Sequence, residues 1–251
     1  MTDTQRYYGL DLTTAPPWLE SRIMLVTEAG SHAYGLATPA SDLDLRGIAL
    51  EPIEYVVGFA QKFEQFTKHT EEVDMVVYGL TKFCALAAQA NPNVLELLFT
   101  RPQSVRYGTA AHAELRANRH LFLTQKARHT FSGYAHAQLK KIRYKAANGT
   151  TGSHAELIEK HGYDTKHAMH LVRLLRMGKE LLTTGELNVF RQDRTELLII
   201  REGGWSLSEL TEWAEDMDKQ VQEVKSDLPW GPDLVKIDKL CRDLLLASWN
   251  L

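Results

Sequence analysis

Apolar positions in the first eighty residues form short runs and two-residue alternations of the kind that β-strands show. Arg22 to Glu28 (RIMLVTE) predicts a buried strand. Leu43 to Leu50 (LDLRGIAL) alternates and predicts a second strand, and Val73 to Tyr78 (VDMVVY), rich in β-branched residues, predicts a third. Ala29-Gly30-Ser31 ends the first strand, and His32 to Gly35 predicts a short helix.

From Leu80 onward the apolar spacing changes to the three- and four-residue steps of amphipathic helices. Asn91-Pro92 ends the first helix, and Asn148 to Ser153 (NGTTGS) is the clearest linker. The later predicted helices are Val94 to Phe99, two helices within Ala110 to Asn148, Thr165 to Thr183, one beginning at Ser206, and Asp233 to Ser248. Strands separated by short helical pieces and followed by a long helical part predict an α+β fold.

Composition narrows the class of protein. The 251 residues are 44% hydrophobic and 24% charged, as in ordinary soluble proteins, and the formal charge of −3 leaves only a local patch for any nucleic-acid contact. Cys84 and Cys241 sit in apolar helical patterns and predict reduced core residues. Without a long apolar run or a signal peptide, we expect a cytoplasmic protein, and without HExxH-like spacing we expect no zinc site.

Asp42 and Asp44 are the first candidates for chemistry. Residues two apart in a strand point to the same face, about 6–7 Å apart. Two neighbouring carboxylates repel each other, and divalent cations remove that cost. Mg²⁺ takes hard oxygen ligands, and two such ions can activate a hydroxyl and stabilise a leaving pyrophosphate.

Gly30 and Ser31 lie upstream in a turn that suits a phosphate group. Gly30 lets the backbone approach a ligand closely, and Ser31 offers an N–H and a hydroxyl at a helix N-terminus. This pattern predicts that the turn holds a nucleotide triphosphate and that the aspartates downstream hold the metals.

These residues carry a resemblance to a known family. Gly30-Ser31, ten residues, and then Asp42-Leu43-Asp44 resembles the signature of the DNA polymerase β-like nucleotidyltransferase superfamily. The longer string GSHAYGLATPASDLDLRGI resembles the predicted nucleotidyltransferase branch associated with RNA repair. VDMVVYGLTKF, NPNVLELLF and YDTKHAMHLVRLLRMG extend the resemblance over roughly residues 23 to 180.

The resemblance implies a mixed-sheet nucleotidyltransferase core, which we place at residues 1–108, followed by an α-helical region at 109–251 that packs over the active site. It also implies a third carboxylate on a neighbouring strand, as metal ligand and base. Asp74 matches that position, and Glu72 is the alternative. Alternation places Val73, Met75 and Val77 toward the core and leaves Asp74 on the polar face.

For each of the other candidate residues, a purely structural or solvent-exposed role is the alternative to a functional one. Arg46 shares the face of Asp42 and Asp44, so it either touches a phosphate or holds the aspartates as an ion pair. One polar stripe beside His167 consists of Lys166, His170 and Arg173. It either binds the triphosphate or is an ordinary solvent-exposed face of the helix. A basic cluster with tyrosines nearby predicts either an RNA contact or a solvated face; it comprises Lys140, Lys141, Arg143 and Lys145, with Tyr134 and Tyr144.

The predicted function is therefore transfer of a nucleoside monophosphate from an NTP to a hydroxyl, with two Mg²⁺ or Mn²⁺ ions and release of pyrophosphate. The resemblance implies an RNA or tRNA 3′ end as acceptor, with an RNA ligase in the same pathway. Two alternatives remain open: nucleotidylation of a protein partner or small molecule, and a non-catalytic module that binds nucleotide or RNA.

Overall fold

The computed structural model describes residues 6–39, 41–70, 73–149, 151 and 155–250. The chain divides into two compact units, which we describe separately. The sheet unit comprises residues 1–89, 93–122 and 232–251, and the helical unit comprises residues 90–92 and 123–231. The sequence predicts the boundary between the nucleotidyltransferase core and the helical region at residues 108 and 109. In the structure the sheet unit continues to Phe122 and also includes residues 232–251.

A five-stranded mixed sheet forms the centre of the sheet unit. Its strand order is β5-β6-β4-β3-β7, with β4 and β6 parallel and the other neighbours antiparallel. A separate pair, β1 and β2, lies near the start of the chain. The strands are β1 (Arg6–Tyr7), β2 (Leu10–Asp11), β3 (Ile23–Glu28), β4 (Leu43–Ala49), β5 (Gln65–His69), β6 (Val73–Gly79) and β7 (Val105–Gly108). The three predicted strands correspond to β3, β4 and β6, and the prediction of an α+β fold is confirmed.

Helices make up most of the rest of the chain. Those between the strands and in the following segment are α1 (Gly30–Tyr34), α2 (Ile53–Val56), α3 (Leu80–Ala88), α4 (Pro92–Leu95) and α5 (Ala110–Ala117). The later ones are α6 (Ala127–Asn148), α7 (Ala155–His161), α8 (Thr165–Thr184), α9 (Arg194–Arg201), α10 (Leu207–Glu223) and α11 (Leu234–Trp249). Helices therefore follow the sheet toward the C-terminus, as the sequence predicts.

Side-chain caps explain where two of the long helices begin. Ser206 and Glu209 form a capping box at α10, in which the Ser206 hydroxyl accepts from the Glu209 N–H at 3.2 Å and the Glu209 carboxylate accepts from the Ser206 N–H at 2.7 Å. Asp164 caps α8 by accepting from the His167 N–H at 3.1 Å. The predicted linker begins where α6 ends at Asn148, and its residues Thr150, Gly152 and Ser153 lie outside the described residues.

Strand alternation separates the two faces of the sheet. One face forms the apolar core of the sheet unit, because every second residue of β4 and β6 is buried there. The core residues are Leu10, Leu19, Ile23, Val26, Leu45, Ala49, Met75 and Val77. Polar residues of β4 and β6 consequently lie on the opposite face.

The last helix returns to the sheet unit. Helix α11 packs on α3 and brings Cys241 beside Cys84, both buried and free. The neighbouring thiol and burial raise the pKa of Cys84 well above its usual range. Trp249 Nε1 donates to the carbonyl oxygen of Glu51 at 2.8 Å. Helix α11 therefore belongs to the packing of the sheet unit although it follows the helical unit in sequence.

Glu51 is a buried carboxylate that caps helix α3. Glu51 is 1% exposed, and its carboxylate accepts hydrogen bonds from the Leu80 N–H at 2.8 Å and the Thr81 N–H at 3.1 Å. The Thr81 hydroxyl also donates to it. Gly79 makes room for this contact, because a Cβ there would lie 2.8 Å from the Glu51 Cδ. The carboxylate thus satisfies the donors at the helix N-terminus.

Replacing Glu51 with alanine should lower the free energy of unfolding by about 2–4 kcal/mol, because two N–H groups and one hydroxyl lose a buried acceptor. Urea denaturation followed by circular dichroism measures this loss. Glu54→Ala is the control, since Glu54 is exposed in the neighbouring helix α2. Equal stability of the two variants would contradict the capping role.

Candidate active site

The parallel pairing of β4 and β6 places two aspartates side by side. Asp44 and Asp74 are direct partners in the register of these strands, which lie about 4.8 Å apart in a sheet. Both lie on the face opposite Leu45 and Met75, which are in the apolar core. Their side chains are 26% and 31% exposed. The sheet therefore presents a pair of partly exposed carboxylates at one position.

Arg46 lies next to this pair on the same face of β4. Its Nη2 donates to Asp74 Oδ2 at 2.9 Å and lies 3.5 Å from Asp44 Oδ1. Its Nη1 donates to the carbonyl oxygens of Leu45 and Asp74, each at 2.9 Å. Of the two roles that the sequence leaves open for Arg46, the ion pair with the aspartates is present in the structure.

Gly30 brings the turn at the start of α1 directly against Asp44. Its φ of +54° is in the left-handed region, and a Cβ at this position would overlap the carboxylate, with Asp44 Cγ only 2.7 Å away. The N–H of the preceding Ala29 donates to the Asp44 carbonyl oxygen at 2.9 Å. Ser31 follows within α1 and is partly exposed. The glycine is therefore required by both its backbone conformation and its close approach to Asp44.

Asp42 precedes β4 and has a different environment. It is exposed and follows a turn in which the Thr38 N–H donates to the Ser41 hydroxyl at 2.9 Å. In the part of the chain that the structure describes, no group of three or more His, Cys, Asp or Glu side chains is arranged to hold a metal ion. Glu72, the alternative third carboxylate, lies outside the described residues. The three-carboxylate metal site stays a prediction.

His69 is a neighbour of Asp74 that the sequence reading missed. It pairs with Asp74 across the antiparallel β5–β6 ladder, and its Nδ1 lies 3.8 Å from Asp74 Oδ1. Its side chain is 74% exposed. The signal was the alternation of QFTKH before the third predicted strand, which matches the exposed and half-buried alternation of β5.

The predicted stripe on α8 consists of residues in unlike environments. Arg173 is buried, and its Nη1 lies 3.1 Å from Met177 Sδ. Lys166 and His170 are half-buried. Burial, with the positive charges of Arg173 and Lys166 nearby, lowers the pKa of His170 to about 3. His170 is consequently neutral near pH 7, and its predicted role in nucleotide binding stays a prediction.

A buried carboxylate in the helical unit accounts for one residue of the predicted basic cluster. Asp164 has a fully buried side chain, and its Oδ2 lies 2.8 Å from both Lys145 Nζ and His167 Nδ1. Lys145 thus has a structural partner, which the sequence reading missed because Asp164 lies nineteen positions away on another helix.

The remaining members of the cluster are exposed along α6. Lys140 and Lys141 face solvent, and Arg143 Nη2 lies 3.5 Å from Glu215 Oε1. Tyr144 is 67% exposed, whereas the Tyr134 hydroxyl accepts from the Asn91 side chain at 2.9 Å. Tyr144 is therefore the tyrosine of this cluster that offers an open ring face.

A known protein family matches nearly the whole chain. A family model described as the RNA repair pathway DNA polymerase beta family, RlaP, matches residues 12–243. An uncharacterised 38.9 kDa protein from the nrdC–mobD intergenic region of Enterobacteria phage T4 is 29% identical over 130 residues, which span 47% of this chain and 38% of the phage protein. This chain therefore spans well under half the length of that relative.

A solved structure is also similar over most of the chain. The nucleotidyltransferase-like protein from Exiguobacterium sibiricum 255-15 is 12% identical, with a TM-score of 0.30, over 90% of this chain and 70% of its own.

Among the helices that the structure describes, none has the length and apolar character needed to cross a membrane.

Gly30→Ala should destabilise the protein by more than the roughly 1–2 kcal/mol that a left-handed conformation costs a non-glycine residue, because the new Cβ also displaces Asp44. Gly185→Ala is a matched control, since Gly185 is also left-handed, with a φ of +70°, and the atom nearest to its Cβ position, Leu228 Cδ2, is 3.8 Å away. Thermal unfolding of both variants measures the difference. Equal losses would mean that the contact with Asp44 costs nothing.

His170 should make the stability of the protein sensitive to acid. Its pKa is lowered in the folded chain, so below about pH 6.5 the unfolded chain takes up a proton that the folded chain does not. The free energy of unfolding should therefore fall from pH 6.5 toward pH 4, by up to about 1.4 kcal/mol per pH unit more than in His170→Gln.

Urea denaturation at several pH values tests this slope. His129→Gln is the control, because His129 is exposed on α6 in the same unit. Parallel pH profiles for the wild-type protein and His170→Gln would contradict the burial of a neutral imidazole.

Proposed function

The chain belongs to the RNA repair pathway DNA polymerase beta family, and from this premise we propose that it transfers a nucleoside monophosphate from an NTP to the 3′ hydroxyl of an RNA, releasing pyrophosphate. The family prediction and the enzyme class, a nucleotidyltransferase, are confirmed by the match over residues 12–243. The observation that carries the proposal is the pairing of Asp44 with Asp74 on adjacent parallel strands, with the Gly30 turn packed against Asp44.

The residues at this position fit a divalent cation. Carboxylate oxygens are the hard ligands that Mg²⁺ and Mn²⁺ take, and both Asp44 and Asp74 are partly exposed to solvent, where a hydrated ion can reach them. Gly30 lets the turn lie directly against Asp44, because the Asp44 carboxylate occupies the place that a Cβ would take. In this proposal Asp42, Asp44 and Asp74 hold two ions. When bound, the ions neutralise charge on the attacking and leaving oxygens.

The other residues of the sheet unit orient the reactants. Gly30 and Ser31 contact the triphosphate through the backbone N–H groups of the turn and the Ser31 hydroxyl. Asp74 accepts the proton of the attacking hydroxyl, because it is the carboxylate nearer the exposed edge strand β5. In this proposal the exposed His69, whose Nδ1 is 3.8 Å from Asp74 Oδ1, relays that proton to solvent through a water molecule. These roles are positioning and electrostatic, as phosphoryl transfer requires.

The helical unit contains the three predicted residues of α8. Lys166 offers a cation, and His170, neutral near pH 7, offers one hydrogen-bond donor and one acceptor. Arg173 is buried against Met177. The role of these residues in nucleotide binding stays a prediction.

An RNA acceptor is supported by the family and by the surface of α6. Lys140, Lys141 and Arg143 are exposed there and Tyr144 presents an open ring, a combination that suits a phosphate backbone with an unstacked base. Lys145 is left out of this surface because Asp164 holds it. An RNA ligase acting on the same ends is the proposed pathway partner, and the free cysteines support the cytoplasm as the compartment.

The test is transfer of label from each α-³²P NTP to an RNA with a free 3′ hydroxyl in the presence of Mg²⁺. Asp44→Asn and Asp74→Asn should each lower the rate by roughly 100-fold or more, since each removes a negatively charged ligand of the proposed metal ions. Asp11→Asn is the control, because Asp11 pairs with Lys68 elsewhere in the sheet unit.

An RNA that ends in a 2′,3′-dideoxynucleotide should accept no label. Full activity of both aspartate variants, or transfer that ignores the blocked end, would overturn the proposed reaction. Label appearing on the protein or on a small hydroxyl compound instead would overturn the RNA acceptor and keep the nucleotidyl transfer.

A further inference from the structure

Arg46 lies between the two aspartates and neutralises part of their negative charge, as an added cation would. Its Nη2 contacts both Asp74 Oδ2, at 2.9 Å, and Asp44 Oδ1, at 3.5 Å. Like charges on adjacent strands repel, and a guanidinium between them removes most of that repulsion. The side chain is 19% exposed, so solvent screens this interaction only in part.

The donor inventory of Arg46 argues against a main role in binding phosphate. A guanidinium has five N–H donors in a fixed plane. The two on Nη1 go to the carbonyl oxygens of Leu45 and Asp74, and the two on Nη2 face the carboxylates of Asp74 and Asp44. Among contacts with the described residues, only the Nε donor is left over, whereas an arginine that binds a phosphate usually presents two parallel donors.

Two contacts of Arg46 do not involve the carboxylates. Its Nη1 donates to carbonyl oxygens on β4 and β6, which anchors the guanidinium to the main chain of both strands. Through Nη2 it fixes Oδ2 of Asp74, which leaves Oδ1 directed toward His69 at the exposed edge of the sheet. Arg46 thus determines which oxygen of Asp74 is available to a ligand.

We infer that Arg46 is a positioning residue that acts as a built-in cation: it keeps Asp44 and Asp74 paired and oriented before metal binds, and its charge weakens the binding of divalent cations there. This inference rests on the proposed function, because it takes the two aspartates to be metal ligands. It follows that substitutions of Arg46 should affect metal affinity and reaction rate in opposite directions. Removing the charge of Arg46 tightens metal binding, while removing its hydrogen bonds slows the reaction.

The test is the affinity of the nucleotide-free protein for Mn²⁺, measured by electron paramagnetic resonance of the free ion. Arg46→Met removes the charge at similar side-chain length and should bind Mn²⁺ roughly three- to tenfold more tightly than the wild-type protein. Arg46→Lys keeps the charge without the fork of donors, and its Mn²⁺ affinity should stay within about twofold of wild type. Arg106→Met is the control, because Arg106 pairs with Glu28 and should leave the affinity unchanged.

Kinetics give a second readout. Arg46→Met should lower kcat by roughly tenfold or more with little change in KM for the NTP, and Arg46→Lys should recover part of that loss. A large rise in KM for the NTP, with unchanged Mn²⁺ affinity, would overturn the inference and assign Arg46 to the nucleotide. Weaker Mn²⁺ binding by Arg46→Met, or equally tightened binding by Arg46→Lys, would also overturn it.

The outcomes separate this inference from the proposed function. Asp44→Asn and Asp74→Asn should each abolish the Mn²⁺ binding that the wild-type protein shows. Binding that survives both substitutions would overturn the proposed metal site. Binding that needs both aspartates but ignores Arg46 would overturn only the inference. Circular dichroism of each variant confirms that it is folded before its affinity is compared.

Discussion

The candidate site depends on the electrostatic contact between one guanidinium and two carboxylates across a parallel strand pair. Asp44 and Asp74 are register partners, so the backbone pairing brings two negative charges together in spite of their mutual repulsion. Arg46 offsets that repulsion and is itself anchored to carbonyl oxygens of both strands. The Gly30 turn then closes on Asp44. Strand pairing, charge and turn conformation thus converge on one face of the sheet.

Much of this arrangement was predictable from sequence because it is local. The strand at β4 places Asp44 and Arg46 on one face by alternation, and Gly30 signals a turn through its residue type. Alternation along β6 likewise placed Asp74 opposite the core, and the structure agrees. Local pattern is sufficient where the feature depends on neighbours within a few residues.

Features that depend on pairing between distant segments were not predictable in the same way. The partner of Asp74 on the edge strand is His69, which requires the β5–β6 register, and the partner of Lys145 is Asp164 on another helix. Arg173 has the spacing of a polar stripe but is buried, since a helix face is polar only where nothing packs on it. A residue type indicates chemistry, but the tertiary contacts decide whether its charge is already used.

The return of α11 to the sheet unit has a consequence for biosynthesis. Residues 123–231 of the helical unit are translated before the segment that includes Leu234–Trp249, whose Trp249 side chain bonds the Glu51 carbonyl. On the nascent chain the sheet unit therefore stays incomplete until α11 has left the ribosomal exit tunnel, so its folding cannot finish before the whole helical unit has been synthesised.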